Sequence, residues 1–269
     1  MIYLIYMKIL FLGDIVGKIG RRAVGKILPE WKQEYSPDFV IANGENLAHG
    51  KGFTQDTLDQ ALNTGIDFFT SGNHIAKKSE GLGLLSNKKL PMIRPANYPP
   101  NVPGSGYRII EVCTTKIAVI NLIGRHFIKE KFDCPFRVFD SIIKEIPKSV
   151  KIIFVDLHAE ATSEKVAFGW YADGRISVIC GTHTHIQTSD EHILPKGTAY
   201  ITDVGMCGAV DSVIGVEKEG VISEFLDQLP RKHDIPETGQ AKVNAVIINI
   251  DKKFGKAESI ERINAFVSI

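Results

Sequence analysis

The sequence predicts an α/β fold whose strands carry polar side chains at their carboxyl ends to one site. Three observations predict it. Apolar runs alternate with helix-like segments through the first half of the chain. Five apolar runs each end in residues able to bind metal ions: Asp14; Glu45 with Asn46; Asn73 with His74; His158; and His183 with His185. Glycine accompanies four of these clusters, at Gly13, Gly44, Gly72 and Gly181, where a crowded rim needs tight turns and close backbone approach. In α/β sheets, ligands bind in the crevice outside the carboxyl ends of the strands.

The elements follow in order. The start "MIYLIYMKILFLGD" is apolar but too short to span a bilayer. It also lacks the basic segment and small-residue cleavage site of a signal peptide. Its last part, "KILFLGD" (Lys8 to Asp14), reads as the first strand; Met7 is an alternative start, which would leave residues 1–6 as an extension. A helix is predicted from about Lys18 to Glu34, then a strand in "PDFVIANGEN" that ends in a loop. "TQDTLDQALNTG" reads as a helix with Thr54 as N-cap and Gly65 as C-cap. "IDFFTSGNH" is a strand running into a loop, and "RPANYPP" is a structural turn held by its prolines. "KIIFVDLHAE" and "ISVICGTHTH" repeat the pattern of a strand ending in polar residues. If the chain stays extended past "ISVIC", His183 and His185 share one face, roughly 6.5–7 Å apart by strand rise. "TAYITDVG", "KVNAVIINID" and "SIERINAFVS" read as strands of a mixed or antiparallel sheet. The Gly-rich "DVGMCGAVDSVIG", Asp203 to Gly215, is expected to be a loop walling the substrate pocket.

Composition narrows the class. The chain has 269 residues, enough for one large domain over residues 1–269, with 44% hydrophobic and 23% charged residues. A net charge of +1 gives no field to attract a polyanion, so neither a long nucleic acid nor a membrane is an expected partner, while a homo-oligomer is compatible. The four cysteines are widely spaced and form no Cys-x-x-Cys pair, which suits a reducing cytoplasm and argues against a disulfide framework. "GDIVGKIGR" fails the phosphate-loop pattern, being one residue short before Lys18 and lacking Ser or Thr after it.

Each candidate also has a plain structural reading: Asp14 as a helix cap, Asn73 as a turn residue, His158 as a buried histidine bonded to backbone. Taken together those readings require five coincidences at five strand ends. The donor set mixes carboxylate, amide oxygen and imidazole without thiolate, which suits Mn, Fe, Co or Zn. It is larger than one ion needs. Two ions about 3.5–4 Å apart, bridged by a carboxylate and a hydroxide, serve in-line displacement at phosphorus.

The motifs "GD" (Gly13–Asp14), "GEN" (Gly44–Asn46), "GNH" (Gly72–His74), "LHAE" (Leu157–Glu160) and "GTHTH" (Gly181–His185) resemble those of the calcineurin-like metallophosphoesterases. "FLGDIVGKIGR", "IANGENLAHGKG", "RPANYP" and "GTHTHIQT" resemble more closely the bacterial YmdB-type branch, the 2′,3′-cyclic nucleotide phosphodiesterases. The resemblance runs from Met7 onward. It implies a four-layer α/β/β/α sandwich with two packed mixed sheets. It implies that Asp14, Asn46 and His185 hold one metal, that Asn73, His158 and His183 hold the other, and that Glu45 bridges them. His74 would be the catalytic residue, a non-ligand acid that protonates the leaving oxygen or stabilises the phosphoryl charge. The expected cofactor is two divalent or mixed-valence ions. The expected reaction is hydrolysis of 2′,3′-cyclic nucleotides such as 2′,3′-cAMP to nucleoside monophosphates by a bridging hydroxide. The alternatives are another small phosphate ester as substrate, for a phosphomonoesterase or a phosphodiesterase, or a low-turnover metal-binding regulatory protein.

Two departures from the wider superfamily fit that branch. Val16 stands where many members have a histidine, with Asn46 the replacement donor, and Glu45 stands where most have Asp. An amide in place of an imidazole makes the first site harder and favours Fe or Mn over Zn; Mg is likewise less expected. A third departure, Ala76 and Lys77 after "GNH", bears on substrate contacts rather than on metal.

Overall fold

Two six-stranded sheets packed face to face form the centre of the computed structural model, which describes residues 5–269. Residues 1–4 of the suggested extension lie outside the described residues. The first part of the chain forms β1 (Tyr6–Ile15), α1 (Gly17–Tyr35), β2 (Phe39–Asn43), α2 (Gln55–Leu62), β3 (Phe68–Thr70) and α3 (Ser79–Leu84). Then come β4 (Tyr107–Val112), β5 (Thr115–Ile123), α4 (Pro135–Glu145), β6 (Ile152–His158), α5 (Thr162–Ala172) and β7 (Val178–Thr182). The last part forms β8 (His192–Ile193), β9 (Ala199–Ile201), β10 (Met206–Ala209), α6 (Lys218–Asp227), β11 (Gln240–Asp251) and β12 (Ala257–Ser268).

The first sheet has the order β12-β11-β10-β1-β2-β3 and the second β4-β5-β6-β7-β9-β8. Within the first, β10, β1, β2 and β3 are parallel; within the second, β5, β6, β7 and β9 are. The expected four layers follow from three apolar cores. One lies between the sheets, where Phe11 of β1 meets Phe154 of β6 edge-on at 4.9 Å. A second lies between the first sheet and α1 and α2, and a third between the second sheet and α4 and α5. With both faces covered, the central strands read as unbroken apolar runs rather than alternating ones.

Helix α1 buries Ile19, Ala23, Val24, Ile27, Leu28 and Trp31, a spacing of three and four that lays one stripe on the sheet. Helix α2 begins as predicted, with Thr54 accepting from the Thr57 backbone N–H. Its C-terminus is a correction: Asn63 is the cap, and Gly65, at φ +101°, makes the reversal two residues later. The Gly-rich stretch is also corrected. Its Met206–Ala209 is β10, paired with both β1 and β11, and only the residues after it form a wall. The hairpin of β4 and β5 is not among the predicted strands, although "KIAVINLIG" carries the same apolar signal; its strand end has no metal-capable cluster to mark it. No helix among the described residues is long and apolar enough to cross a membrane.

Candidate metal centre

The parallel strands of both sheets end on one edge, and there the eight sequence-predicted residues meet. Asp14 leaves β1, Glu45 and Asn46 follow β2, and Asn73 and His74 follow β3. From the second sheet, His158 closes β6, and His183 and His185 follow β7. Gly72 makes this approach possible: a Cβ there would lie 2.2 Å from Glu45 Oε2 and 2.3 Å from the His158 ring. Gly13 does the same two strands over, where a Cβ would meet the Gly205 carbonyl oxygen at 1.9 Å.

The three imidazoles share one arrangement. Each has one ring nitrogen held by an oxygen outside the cluster and the other turned inward. His158 Nδ1 lies 2.9 Å from Thr182 Oγ1, which donates to Asp156 at 2.7 Å, so Nδ1 carries the hydrogen and Nε2 is free. His183 Nε2 lies 3.0 Å from Glu160 Oε2, leaving Nδ1 free. His185 Nδ1 donates to the Ile214 carbonyl at 2.8 Å, leaving Nε2 free. Fixing the tautomer from outside is how metal-binding histidines are commonly oriented.

The inward atoms crowd. His158 Nε2 sits 3.0 Å from His183 Nδ1, 3.2 Å from Asn73 Oδ1 and 3.3 Å from Glu45 Oε1. Two imidazole nitrogens that face each other need a proton or a cation between them. Glu45, His158 and His183 offer one donor atom each, all within 4.8 Å of one another. On the other side, Asp14 Oδ1 is buried with no hydrogen-bond partner and lies 3.8 Å from His185 Nε2. An orphaned buried carboxylate oxygen costs free energy unless a cation satisfies it. Asn46 turns its amide N–H to His185 Nε2 at 3.2 Å and its carbonyl to His74 Nδ1 at 2.7 Å. A half-turn of that amide would present the oxygen to the His185 side instead. The Glu45, His158 and His183 donors therefore fit a divalent cation, and the unpartnered Asp14 oxygen calls for positive charge beside them.

The electrostatics agree. Burial works against a charge on His158, yet the Glu45, Asp14 and Asp156 carboxylates lift its pKa to about 9. Burial and the neighbouring His158 push His183 down to about 3. Burial alone would raise Glu45, but the His158 and His74 imidazoles hold it well below the usual carboxylate range. Asp14 is raised, chiefly by burial. At His158 the surrounding carboxylates therefore outweigh burial and favour positive charge, whereas at His183 burial and the His158 ring oppose it.

His74 differs from the other histidines. Its backbone N–H donates to Glu45 Oε2 at 3.0 Å, and its ring contacts Asn46 and Glu45 through Nδ1 alone. It is partly exposed and lines a cavity of about 520 Å³ over the cluster. Lys77, the unexpected residue nearby, points to Glu130 at 3.9 Å. His49 lines the same cavity, as do Ile214 and Val216 from the wall after β10.

One expectation is corrected here. The chain is not extended at His183 and His185, whose φ angles are +100° and +66°. Both lie in the left-handed half of the map, costly for a residue with a Cβ. Asp203 holds the segment there: its Oδ2 accepts from the Thr184 backbone N–H at 3.1 Å and from Thr184 Oγ1 at 2.7 Å. The buried Lys165 ammonium pairs with the same oxygen at 2.7 Å. Sequence reasoning missed Asp203, Lys165, Asp156, Thr182 and Glu160. Asp203 in "TDVG" and Glu160 in "LHAE" do follow strands, which is the available signal. Asp156, buried beneath the cluster, accepts from Thr70, Thr182 and Asn43, and burial lifts its carboxyl to about 7 against the pull of His158, Thr70 and Thr182.

A four-layer sandwich with this donor set at its strand ends defines a metallophosphoesterase fold. The chain belongs to the YmdB-like family, whose model matches residues 10–263. It is 46% identical over 257 residues to the 2′,3′-cyclic-nucleotide 2′-phosphodiesterase of Bacillus subtilis (strain 168), covering 96% of each chain. The crystal structure of a phosphatase from Mycoplasma pneumoniae superposes with a TM-score of 0.92 at 35% identity, over 98% of this chain and 94% of that one. A hypothetical protein from Thermus thermophilus gives 0.90 at 39% identity, over 97% and 99%.

Proposed function

We propose that this chain hydrolyses 2′,3′-cyclic nucleotides with two metal ions. The observation that carries the reading is the meeting of Asp14, Glu45, Asn46, Asn73, His158, His183 and His185 at one edge, with His74 lining the cavity above, in a relative of a 2′,3′-cyclic-nucleotide 2′-phosphodiesterase. Asp14, Asn46 and His185 would hold one ion, Asn73, His158 and His183 the other, and Glu45 both. The oxygen-rich donors favour Fe or Mn. Such ions, when bound, neutralise charge on the phosphoryl group and supply a hydroxide nucleophile at neutral pH.

The chain's own residues do the rest. Thr182, Glu160 and the Ile214 carbonyl keep the three imidazoles in the tautomers that face the cavity. Asn46 and Glu45 hold His74 by Nδ1, so Nε2 is the nitrogen left to meet substrate. As the new oxygen–phosphorus bond forms, the bond from phosphorus to the ribose 2′-oxygen breaks. His74 donates a proton to that oxygen, which leaves as a hydroxyl, and the product is a nucleoside 3′-monophosphate. The choice of the 2′-oxygen follows the activity named for the Bacillus subtilis relative.

The test is metal analysis of anaerobically purified protein together with a screen of 2′,3′-cyclic nucleotides, phosphomonoesters and model diesters, run on wild type and on Glu45→Gln. Wild type should carry two ions per chain and prefer the cyclic nucleotides. Glu45→Gln should lower occupancy of both ions and turnover with it. A Glu45→Gln protein with two tightly held metals and normal rates would remove the bridging role. A wild type that cleaves only monoesters would remove the substrate class.

A second expectation concerns the two histidines after β7. His183 faces His158, whereas His185 faces Asp14 and Asn46. His183→Ala and His185→Ala should therefore deplete different ions, visible as different missing peaks in anomalous maps. Loss of the same ion in both variants would mean that the two rings share one metal.

A further inference from the structure

The metal-binding edge accounts for one side of the 520 Å³ cavity. Much of the other side comes from a single excursion of the chain. β10 and β11 are antiparallel neighbours, with Ala209 opposite Ala241, and a short turn would join them. Instead residues 210–239 leave the sheet, form α6, and return. They supply Ile214, Val216, Arg231, Lys232, His233 and Ile235 to the cavity wall. The excursion is tied to the metal-binding edge by the hydrogen bond from His185 Nδ1 to the Ile214 carbonyl.

A second space lies against the same wall. It measures about 280 Å³ and is lined by Val213, Ile214, Val216, Val221, Phe225 and the pair Glu224 with His233. It shares Ile214, Val216 and His233 with the cavity over the metal-binding edge. Val213 and Val216 shape one side, joined by paired backbone hydrogen bonds of 2.8 and 3.0 Å around Ile214 and Gly215. Val221, Glu224 and Phe225 recur at three- and four-residue spacing, so one face of α6 forms the other side. The Phe225 ring is 81% exposed at the lip. His233 Nε2 holds Glu224 Oε2 at 2.7 Å.

Resting on the proposed function, we infer that this second space is a nucleobase subsite of the same active centre. The chemistry fits in three respects. His74 and His183 line the same cavity as Ile214 and Val216, so a phosphate held at the first pair has room for its sugar and base against the wall formed by the second. That wall and Phe225 offer apolar surface to the faces of a planar heterocycle, and every base has such a face. The Glu224 carboxylate lies at the same space and accepts from an exocyclic amino group or a ring N–H. A substrate consisting of phosphate and a small alcohol would have no use for an apolar extension next to a charged cavity.

The test compares two five-membered cyclic phosphates that differ in the base: 2′,3′-cAMP and glycerol 1,2-cyclic phosphate. For each protein the readout is the ratio of kcat/KM on the nucleotide to kcat/KM on the glycerol ester. Phe225→Ala should lower that ratio about tenfold, through KM for the nucleotide, as loss of one base–aromatic contact does. Val221→Trp, which fills the space from α6, should lower it at least as much. An unchanged ratio in both variants overturns the subsite, whether the two rates stay normal or fall together. A wild-type protein active on the glycerol ester but inactive on 2′,3′-cAMP overturns the proposed substrate class instead, and the subsite with it.

Discussion

On the proposed function, replacing His74 with alanine should lower kcat on 2′,3′-cAMP by roughly 10²–10⁴-fold while metal content stays unchanged. The geometry separates the two effects. His74 reaches the cluster only through hydrogen bonds to Asn46 and Glu45, whereas the inward nitrogens of His158, His183 and His185 face carboxylates, amides and one another. Adjacent Asn73 points its Oδ1 to His158 Nε2, so the turn after β3 sends neighbouring side chains in different directions. If His74 protonates the leaving oxygen, the loss depends on how basic that oxygen is. A ribose alkoxide needs the proton and should show the full loss. A p-nitrophenolate leaves without one, so a p-nitrophenyl diester should show much less. Equal losses on both substrates would assign His74 to stabilising charge on the phosphoryl group. Loss of a metal from His74→Ala would sink both roles and make the residue a ligand or a support for one.

Lys165→Met should destabilise the protein by about 3–5 kcal/mol, the usual consequence of removing one partner of a buried ion pair. Lys165 and Asp203 are 1% and 0% exposed, and their 2.7 Å contact leaves the Asp203 charge without another cation once the ammonium is gone. Asp203 would retain its hydrogen bonds from Thr184 and Gly205, which is why the cost stays within that range. Urea unfolding is the direct measurement: the midpoint should fall with little change in slope. The effect should reach the active centre, because the same carboxylate pins Thr184 between two histidines in left-handed backbone. Metal content of the folded variant should therefore fall too. Adding Asp203→Asn should recover much of the stability by removing the stranded charge, and the deviation from additivity measures the pair. A midpoint unchanged in Lys165→Met would show that the pair has no such role.

Much of this protein was legible in its sequence, for reasons that are local. A strand that is apolar throughout and then stops at a polar cluster is visible in ten consecutive residues, and "FLGD", "IANGEN", "FFTSGNH", "FVDLH" and "ICGTHTH" each show it. The Thr54 cap is equally local, since donor and acceptor are three residues apart. The two ends of the site were readable for the same reason: each donor sits where its own strand runs out, and parallel strands run out on one edge. What only the tertiary structure decided involves partners distant along the chain. Asp14 receives the His183 backbone N–H from 169 residues away, and Asn43 donates to Asp156 across 113. No periodicity reports such pairs. The sequence therefore placed His183 and His185 on an extended strand end, while Asp203 and Lys165 hold them in left-handed backbone. It read residues 203–215 as a rim loop, while pairing with β1 and β11 makes part of them a central strand and sends the rest out as a wall. Identity of the donors is a property of residue type and position in a strand; their tautomers, their supports and the shape of the space above them are properties of packing between segments, which the chain acquires only when both sheets have closed on each other.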